Sequence, residues 1–202
     1  MVQRKIKIFV RNPEKGKVKT RLAASVGDEQ ALSIYLKLLH YTKEIVLNVE
    51  AQKEVWYSSF IDEKDLWANK FFTKKKQEGQ DLGMRMKNAF QETFFSDKNA
   101  QVVLIGSDCA ELKKSHIIEA FNQLNKQSIV IGPAKDGGYY LIGMSKYVPE
   151  VFEGIDWSTS NVLKQTIGKI NESGKTFYLL KELSDIDTIE DWVRIKKRFE
   201  ND

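Results

Sequence analysis

The feature that constrains the fold most is the segment Val102–Asp108, which reads Val-Val-Leu-Ile-Gly-Ser-Asp. Four apolar residues run directly into a glycine, a hydroxyl residue and a carboxylate. A continuous apolar run that ends in a turn signal is typical of a strand buried on both faces of a sheet. In open α/β sheets, ligands bind beyond the carboxyl ends of such strands, which is where Asp108 would lie. The simpler alternative is that Asp108 caps the helix that follows.

Strand and helix patterns alternate along the chain on both sides of this segment. Apolar or alternating runs predict strands, and apolar residues at helical spacing predict amphipathic helices between them. The predicted strands are Lys5–Val10, Lys53–Ser58, Lys70–Lys74, Val102–Ile105, Ser128–Gly132, Tyr139–Ile142 and Lys175–Leu180. The predicted helices are Asp28–Val49, Asp62–Ala68, Leu82–Phe94, Ser115–Lys126, Val162–Ile170 and a last one after Thr188.

This alternation predicts an α/β fold with a mostly parallel twisted sheet and helices on both faces. No internal repeat and no Pro/Gly/Ser-rich linker divides the 202 residues. We therefore expect residues 1–202 to form a single domain.

The composition argues against several classes of protein. The net charge of +4 is small, and the 32 basic residues are interleaved with 28 acidic ones. This balance does not suggest nucleic-acid binding, but it suits a small anionic ligand such as a nucleotide. The single cysteine, Cys109, excludes an internal disulfide framework and favours a reducing compartment. Neither a signal peptide nor an apolar stretch of membrane-spanning length is present, so we expect a cytoplasmic protein.

A basic loop follows the first predicted strand. Its cations are Lys15, Lys17, Lys19 and Arg21, and Gly16 allows a tight backbone turn among them. Such a loop can bind phosphate groups, although it matches neither the Gly-x-Gly-x-x-Gly nor the Gly-x-x-x-x-Gly-Lys-[Ser/Thr] pattern. The alternative is an ordinary solvated loop.

Carboxylates are the best candidates for chemistry. The two histidines, His40 and His116, lie away from any motif, and one cysteine without a Gly-x-Ser-x-Gly motif gives no support to a covalent nucleophile. Aspartates at the ends of predicted elements suit Mg²⁺ or Mn²⁺ bound jointly by carboxylates and substrate phosphates. These aspartates are Asp81, Asp108, Asp136, Asp185 and Asp187.

Two glycine-containing turns also face the predicted ligand-binding edge. Gly79 and Asp81 precede a helix, whose N-terminus favours anions. The segment Asp136–Tyr140 reads Asp-Gly-Gly-Tyr-Tyr, which is either an ordinary hairpin turn or a place where the glycines leave room for a ligand.

Five segments together resemble a bacterial family of GT-A-type glycosyltransferases, the radical-SAM/selenodomain-associated transferases. That family is similar in fold to the nucleotide-diphospho-sugar transferase superfamily, which also includes molybdenum cofactor guanylyltransferase and phospholactate guanylyltransferase. The segments are Pro13–Leu22, Gln80–Met86, Ile105–Cys109, Gly132–Gly143 and Asp185–Thr188.

The resemblance implies a nucleotide-binding N-terminal half. Lys19 and Arg21 would contact the nucleotide phosphates, and Gly79 and Asp81 would lie near the nucleotide. Asp108 matches the position of the superfamily's first metal-binding aspartate, with Asp187 as the second metal contact. The match is incomplete, because Asp108 is not part of an Asp-x-Asp motif and the basic loop lacks the Gly-rich signature of sugar nucleotidylyltransferases.

The resemblance also implies a C-terminal half that receives the acceptor. Here we expect Asp136, Gly137, Gly138 and Tyr139 to face the acceptor or the sugar, with Asp136 as the best candidate for the general base. Asp136 and Asp108 are the predicted catalytic residues.

The sequence thus predicts a transferase that moves a glycosyl group from a nucleotide-sugar to an acceptor, assisted by Mg²⁺ or Mn²⁺. A first alternative is a nucleotidylyltransferase of the guanylyltransferase type, which acts on a phosphorylated small molecule. A second is a non-catalytic nucleotide-binding protein on the same fold, since one fold hosts several functions.

Overall fold

The computed structural model describes residues 2–199. Its strands, in chain order, are β1 (Arg4–Val10), β2 (Gln52–Tyr57), β3 (Thr73–Lys76), β4 (Gln101–Ile105), β5 (Ile129–Pro133), β6 (Tyr139–Met144) and β7 (Phe177–Leu179). Its α-helices are α1 (Thr20–Val26), α2 (Asp28–Leu47), α3 (Leu82–Ser96), α4 (Lys114–Gln123), α5 (Val162–Glu172) and α6 (Ile189–Ile195). Two short 3-10 helices span Pro149–Phe152 and Lys196–Arg198.

Within the described residues, the strands form one seven-stranded sheet in the order β3-β2-β1-β4-β6-β5-β7. Strand β6 runs antiparallel to both β4 and β5, and every other neighbouring pair is parallel. In the centre, Ile8 of β1 lies between Val55 of β2 and Ile105 of β4. The predicted α/β class with a mostly parallel sheet is confirmed.

Strand β4 is buried on both faces, as its apolar run predicts. All five of its residues are buried. Val103 and Ile105 pack into the cluster that includes helices α2 and α4, whereas Val102 and Leu104 pack into the cluster on the opposite face with α3 and α5. The predicted helices on both faces are therefore confirmed.

The position of Asp108 decides between its two interpretations. Helix α4 begins only at Lys114, and Lys113 is its N-cap residue. Asp108 therefore does not cap the following helix, and the simpler alternative is wrong. The residue lies just past the carboxyl end of β4, as the ligand-site interpretation requires.

Three local predictions need correction. Helix α1 begins at Thr20, inside the predicted basic loop, and Gly27 at φ 82° separates it from α2. Residues 62–68 are turns and bends, not a helix. Here Asp65 accepts hydrogen bonds from the Trp67 N–H and from the Tyr57 hydroxyl, and such side-chain acceptors compete with helical bonding.

The third strand is also displaced along the chain. It spans Thr73–Lys76 instead of Lys70–Lys74, because its pairing with β2 fixes the register and places Phe72 in the core against Trp67. Among the described residues, no helix combines the length and the apolar character needed to cross a bilayer.

Candidate functional site

A cleft of about 600 Å³ lies at the carboxyl ends of the central parallel strands. Residues that follow β1, β3 and β4 line one part of it, and the β5–β6 turn and the segments near α5 and α6 line the rest. This is the location at which open α/β sheets bind ligands. The predicted site residues that line the cleft are Lys19, Arg21, Asp108, Asp136, Gly138, Tyr139 and Asp187.

Lys19 makes the central contact of the cleft. Its Nζ donates to Asp108 Oδ2 at 2.7 Å and to Asp187 Oδ1 at 3.1 Å, and its side chain is only 6% exposed. Burial alone would lower the pKa of this ammonium group, but the two carboxylates outweigh burial and raise the pKa above its usual value. Asp108 and Asp187 lie 89 and 168 positions from Lys19 along the chain, yet both contact its Nζ atom.

Lys19 reaches the carboxylates from a strained backbone. The residue precedes helix α1 in the left-handed conformation, at φ 48° and ψ 44°. A non-glycine residue adopts this conformation only where the surrounding structure compensates for its cost. The two hydrogen bonds of the Lys19 ammonium group are contacts that can compensate for this cost.

Two arginines, Arg11 and Arg21, also contribute to the charge distribution around Lys19. Burial alone would raise the pKa of Asp108, but the Lys19 ammonium, with help from Arg11, holds it below its usual range. Arg21 Nη1 lies 3.6 Å from Asp187 Oδ2, and the Arg21 side chain is 74% exposed. The cleft therefore carries an exposed cation beside a buried one, both facing the same carboxylate.

Asp185 has a different environment, although it also lines the cleft. Burial and the negative charge of Asp108 raise the pKa of Asp185 to about 8. Within the part of the chain that the structure describes, its Oδ1 is buried and has no hydrogen-bond partner. The sequence indicates Asp185 only as one of several aspartates at the ends of predicted elements.

The Asp136–Gly137–Gly138 segment is the turn of an antiparallel hairpin between β5 and β6. Asp136 Oδ1 accepts a hydrogen bond from the Gly138 N–H at 2.9 Å, and both residues line the cleft. Gly137 has φ 89°, and a Cβ there would lie 2.2 Å from the Ser160 carbonyl oxygen. The Cβ side of Gly137 is thus filled by backbone, and Gly137 does not line the cleft, so the expectation that it faces the acceptor or sugar needs correction. Gly138, the second glycine of the turn, does line the cleft.

The segment Trp157–Ser160 lines the cleft next to this turn and was missed from sequence, where it reads only as an irregular connection. Trp157 packs so closely on Gly83 that a Cβ at Gly83 would lie 2.3 Å from the indole Nε1. The Tyr139 and Trp157 rings meet edge to face, with centroids 6.4 Å apart. The sequence signal that could have indicated this part of the cleft is a tryptophan followed by Ser-Thr-Ser.

Gly79 and Asp81 do not line the cleft. Asp81 is the N-cap of α3, and its Oδ1 accepts a hydrogen bond from the Met84 N–H at 2.7 Å. Gly79 packs against the first turn of the same helix, where its carbonyl oxygen accepts from Arg85 Nε. From this part of the chain, Gln77 and Leu82 reach the cleft instead.

The carboxylates fit a divalent cation only in part. No group of three or more His, Cys, Asp or Glu side chains in residues 2–199 is arranged to hold a metal ion. Asp108 and Asp187 supply oxygen donors on either side of one position, which is the contribution that proteins commonly make to Mg²⁺ when substrate phosphates complete the shell. The donor chemistry therefore fits a metal that arrives with a phosphate ligand.

The bacterial family described as "Uncharacterized protein conserved in bacteria (DUF2064)" matches residues 41–159. This is more than half of the chain. The chain belongs to the DUF2064 family. The matched region of this DUF2064 protein contains Asp108, Asp136 and Trp157, whereas Lys19 and Asp187 lie outside it.

A solved structure resembles this DUF2064 protein over its whole length. It is a candidate nucleotide-diphospho-sugar transferase from Desulfovibrio desulfuricans G20, with 33% sequence identity and a TM-score of 0.88. The similarity covers 100% of this chain and 89% of that one. The inositol-1-phosphate CTP transferase of T. maritima, at 13% identity and a TM-score of 0.62, shares the fold over 95% of this chain and 92% of its own.

The 2-phospho-L-lactate guanylyltransferase of Methanocaldococcus vulcanius is 27% identical over 126 residues. The match covers 62% of the DUF2064 chain and 54% of the guanylyltransferase, so the chain spans about half the length of this curated relative. These relatives and structural neighbours are transferases by name, and the expected similarity to the nucleotide-diphospho-sugar transferase superfamily is confirmed.

Proposed function

We propose that the cleft is the active site of a transferase that moves a glycosyl group from a nucleotide-sugar to an acceptor, with a nucleoside diphosphate as leaving group. The observation that carries this proposal is the convergence of Lys19, Asp108 and Asp187 at the carboxyl ends of the central strands. The 33% identical nucleotide-diphospho-sugar transferase candidate supports it over the full length of the chain.

The cations of the cleft are suited to the diphosphate. Arg11, Lys19 and Arg21 all line it. Arg11 and Lys19 belong to the segment that links β1 to α1, and Arg21 lies in the first turn of α1. Ammonium and guanidinium groups bind phosphate oxygens through charge-assisted hydrogen bonds. Arg21 is the most accessible of the groups near Asp187 and is placed to make the first contact with an incoming phosphate.

Asp108 and Asp187 would hold Mg²⁺ or Mn²⁺ together with the phosphates. When bound, such an ion neutralises the charge that develops on the departing nucleoside diphosphate. The chain's own contribution is to hold the two carboxylates on opposite sides of one position, through β4 for Asp108 and through the segment before α6 for Asp187.

The acceptor or sugar would occupy the side of the cleft formed by Asp136, Gly138, Tyr139 and the Trp157–Ser160 segment. Aromatic rings present a negative face that attracts the C–H groups of a sugar, and hydroxyls can bond to its hydroxyls. Asp136 is the carboxylate on this side and the best candidate to accept the acceptor's proton. The Gly138 N–H bond orients its carboxyl group.

A second candidate function is nucleotidylyl transfer, in which a substrate phosphate attacks the α-phosphate of a nucleoside triphosphate and pyrophosphate leaves. The 27% identity to a guanylyltransferase favours it, and the fold is shared with a CTP transferase. The same cations and carboxylates would serve this reaction.

A nucleotide panel in a thermal-shift assay, with and without Mn²⁺, tests these proposals. We expect UDP-glucose or GDP-mannose to raise the melting temperature in the presence of Mn²⁺. Stabilisation by GTP or CTP alone would support nucleotidylyl transfer instead. If no nucleotide changes the melting temperature, and Asp108→Asn also changes nothing, the protein is not a nucleotide-dependent transferase.

A paired measurement tests the sugar side. Trp157→Ala should lower the affinity for the nucleotide-sugar about fivefold and leave that for the matching nucleoside diphosphate unchanged, because only the sugar would contact the indole. Phe95→Ala is the matched control, since this ring is 88% exposed and does not line the cleft. An equal loss for both ligands would place the base, and not the sugar, against Trp157.

Three finer assignments rest on the resemblance and the composition. We propose that the protein is of the radical-SAM/selenodomain-associated type, that residues 1–202 form a single domain, and that the protein works in the cytoplasm. The single cysteine, which is buried and not in a disulfide, supports a reducing compartment.

A further inference from the structure

The Lys19 ammonium lies at the position that a cation bound by both Asp108 and Asp187 would take. Its two hydrogen bonds, of 2.7 and 3.1 Å, join one carboxylate oxygen from each aspartate. The side chain of Lys19 is almost fully buried, whereas those of Asp108 and Asp187 are 38% and 36% exposed. The carboxylates are therefore open to the cleft, but the oxygens that face each other are already bonded to a cation.

A divalent ion and this ammonium cannot occupy the position together. Mg²⁺ requires its ligand oxygens at about 2.1 Å, which is shorter than either bond that Lys19 makes. An ion between the two oxygens would therefore meet the Nζ atom in steric and electrostatic conflict. For both aspartates to bind a metal, Lys19 must first move away.

A phosphate group supplies the reason for Lys19 to move. The lysine side chain is a compact charge on a flexible four-carbon stem, so its head can exchange one anionic partner for another. Arg21, exposed and 3.6 Å from Asp187, would bring the phosphate to this end of the cleft. Lys19 already lines the cleft, so the exchange needs side-chain rotation and no rearrangement of the fold.

We propose that Lys19 is a positioning residue that couples nucleotide and metal binding. In the free protein it holds Asp108 and Asp187 as an ion pair and keeps divalent cations out. When the phosphates draw its ammonium away, the carboxylates become available, so each ligand increases the affinity for the other. This inference rests on the metal-assisted function proposed above.

Mn²⁺ binding to the free protein, followed by electron paramagnetic resonance without any nucleotide, tests the proposal. We expect Lys19→Met to bind Mn²⁺ at least tenfold more tightly than wild type. Arg21→Met is the matched control, because it removes a positive charge near Asp187 without vacating the position between the carboxylates. Its affinity should stay within threefold of wild type. The double variant Lys19→Met, Asp108→Asn should lose the gain.

An unchanged Mn²⁺ affinity in Lys19→Met, or an equal gain in Arg21→Met, would overturn the proposal. Circular dichroism establishes that each variant is folded, and Lys19→Gln replaces Lys19→Met if the latter does not fold. A tenfold gain in Lys19→Met together with a nucleotide panel that shows no binding would contradict the proposed function instead. Nucleotide binding without any gain would contradict only the role of Lys19.

A second readout measures the coupling itself. Inorganic pyrophosphate carries two linked phosphates and no base, so it can displace Lys19 regardless of nucleotide identity. In wild type, Mn²⁺ and pyrophosphate together should raise the melting temperature by more than the sum of their separate effects. In Lys19→Met the excess over the sum should be smaller, because only direct contact between Mn²⁺ and the phosphates then couples the two ligands. Chelation in solution is the same for both proteins, so a difference between them arises from the protein. Equal behaviour would contradict the coupling.

Discussion

The protein contains two lysine–carboxylate clusters that look alike in composition and differ in the balance of charge. In the first, Lys7 of β1 donates to Glu54 of β2 at 2.5 Å within the body of the sheet. In the second, Lys19 donates to Asp108 and Asp187 in the cleft. Both lysines are nearly inaccessible to solvent, so burial alone does not explain what each cluster does.

The cluster around Glu54 has more cations than carboxylate acceptors. Glu54 lies within 3.8 Å of the ammonium groups of Lys5, Lys7 and Lys75, and it also accepts a hydrogen bond from Trp56 Nε1 at 3.0 Å. Burial lowers the pKa of Lys7 to about 8, because Glu54 compensates for its loss of hydration only in part. This cluster therefore has cations in excess and offers no site for a further one.

The cluster around Lys19 has the opposite balance. One buried ammonium faces two carboxylates that are also exposed to the cleft, with Arg21 near Asp187 and with Asp136 lining the same space. The pKa of Lys19 is raised, whereas that of Lys7 is lowered. An excess of carboxylate oxygens attracts cations, so this comparison supports the proposed exchange of partners in the cleft cluster.

The largest expected effect comes from removing the shared acceptor of the first cluster. Glu54→Gln leaves three ammonium groups without their common carboxylate in and near the core. We expect the free energy of unfolding to fall by about 3–5 kcal/mol in urea titrations, as for other buried ion pairs that lose one partner.

Lys7→Met is the control for that measurement. Because it removes the buried charge together with its desolvation cost, and Lys5 and Lys75 still pair with Glu54, the loss of stability should be much smaller. Equal losses for Lys7→Met and Glu54→Gln would mean that the Lys7–Glu54 bond itself, and not the unpaired charge, determines stability.

Some features of the fold and of the cleft could be predicted from local sequence, and others could not. The position of Asp108 follows from the apolar run of β4, because four buried residues and a turn signal are a local pattern. The hairpin at Asp136 follows in the same way from its two glycines. The third strand and the segment 62–68 were misassigned because long-range pairing with β2 and the bonds of Asp65 override local preference.

The exchange of partners at Lys19 could not be predicted from sequence. It depends on the ion pairs that Lys19 makes with Asp108 and Asp187, which lie 89 and 168 positions away along the chain. It also depends on the left-handed backbone of Lys19, which no sequence pattern indicates. The same holds for Trp157, whose place in the cleft depends on close packing against Gly83 of another element. Contacts of this kind follow from the topology of the sheet, and not from the spacing of residues.

The next effect concerns the pH dependence of stability. The folded-state pKa of Lys7, about 8, lies below the unfolded value of 10.5, so the unfolded chain binds more protons between these values. The contribution of Lys7 to the free energy of unfolding therefore rises with pH across this window, by about 2 kcal/mol between pH 8 and 10.

The measurement is the difference between wild type and Lys7→Met in urea titrations at several pH values, because the difference removes the titration of all other groups. A difference that stays constant from pH 8 to pH 10 would show that Lys7 is not destabilised by burial. The contrast with Lys19, whose pKa is shifted upward, would then lose its physical basis.

A smaller effect is expected at Asp108. Asp108→Asn removes one of the two carboxylates of the cleft cluster, and its side chain is partly exposed, so the fold should tolerate the change. We expect the Mn²⁺-dependent part of nucleotide affinity to fall at least tenfold, or about 1.4 kcal/mol. Isothermal titration with and without Mn²⁺ measures this. A loss of the same size in the absence of Mn²⁺ would assign Asp108 to another role.

The smallest effect comes from Asp81, a carboxylate that belongs to neither cluster. Its oxygen accepts from the Met84 N–H at the start of α3, so Asp81→Ala should lower the free energy of unfolding by about 1 kcal/mol. Nucleotide affinity should stay within twofold. A tenfold loss of affinity would instead support the nucleotide contact that the sequence resemblance implies.

A crystal structure of the wild-type protein with a bound nucleotide-sugar and Mn²⁺ tests the exchange of partners at Lys19 most directly. We expect the diphosphate in contact with Lys19 and Arg21, and the ion bound by Asp108 and Asp187 at the position that the Lys19 ammonium occupies in the free protein. A nucleotide bound outside this cleft would show that the proposed site is wrong, and one bound within it while Lys19 still bridges Asp108 and Asp187 would rule out the exchange.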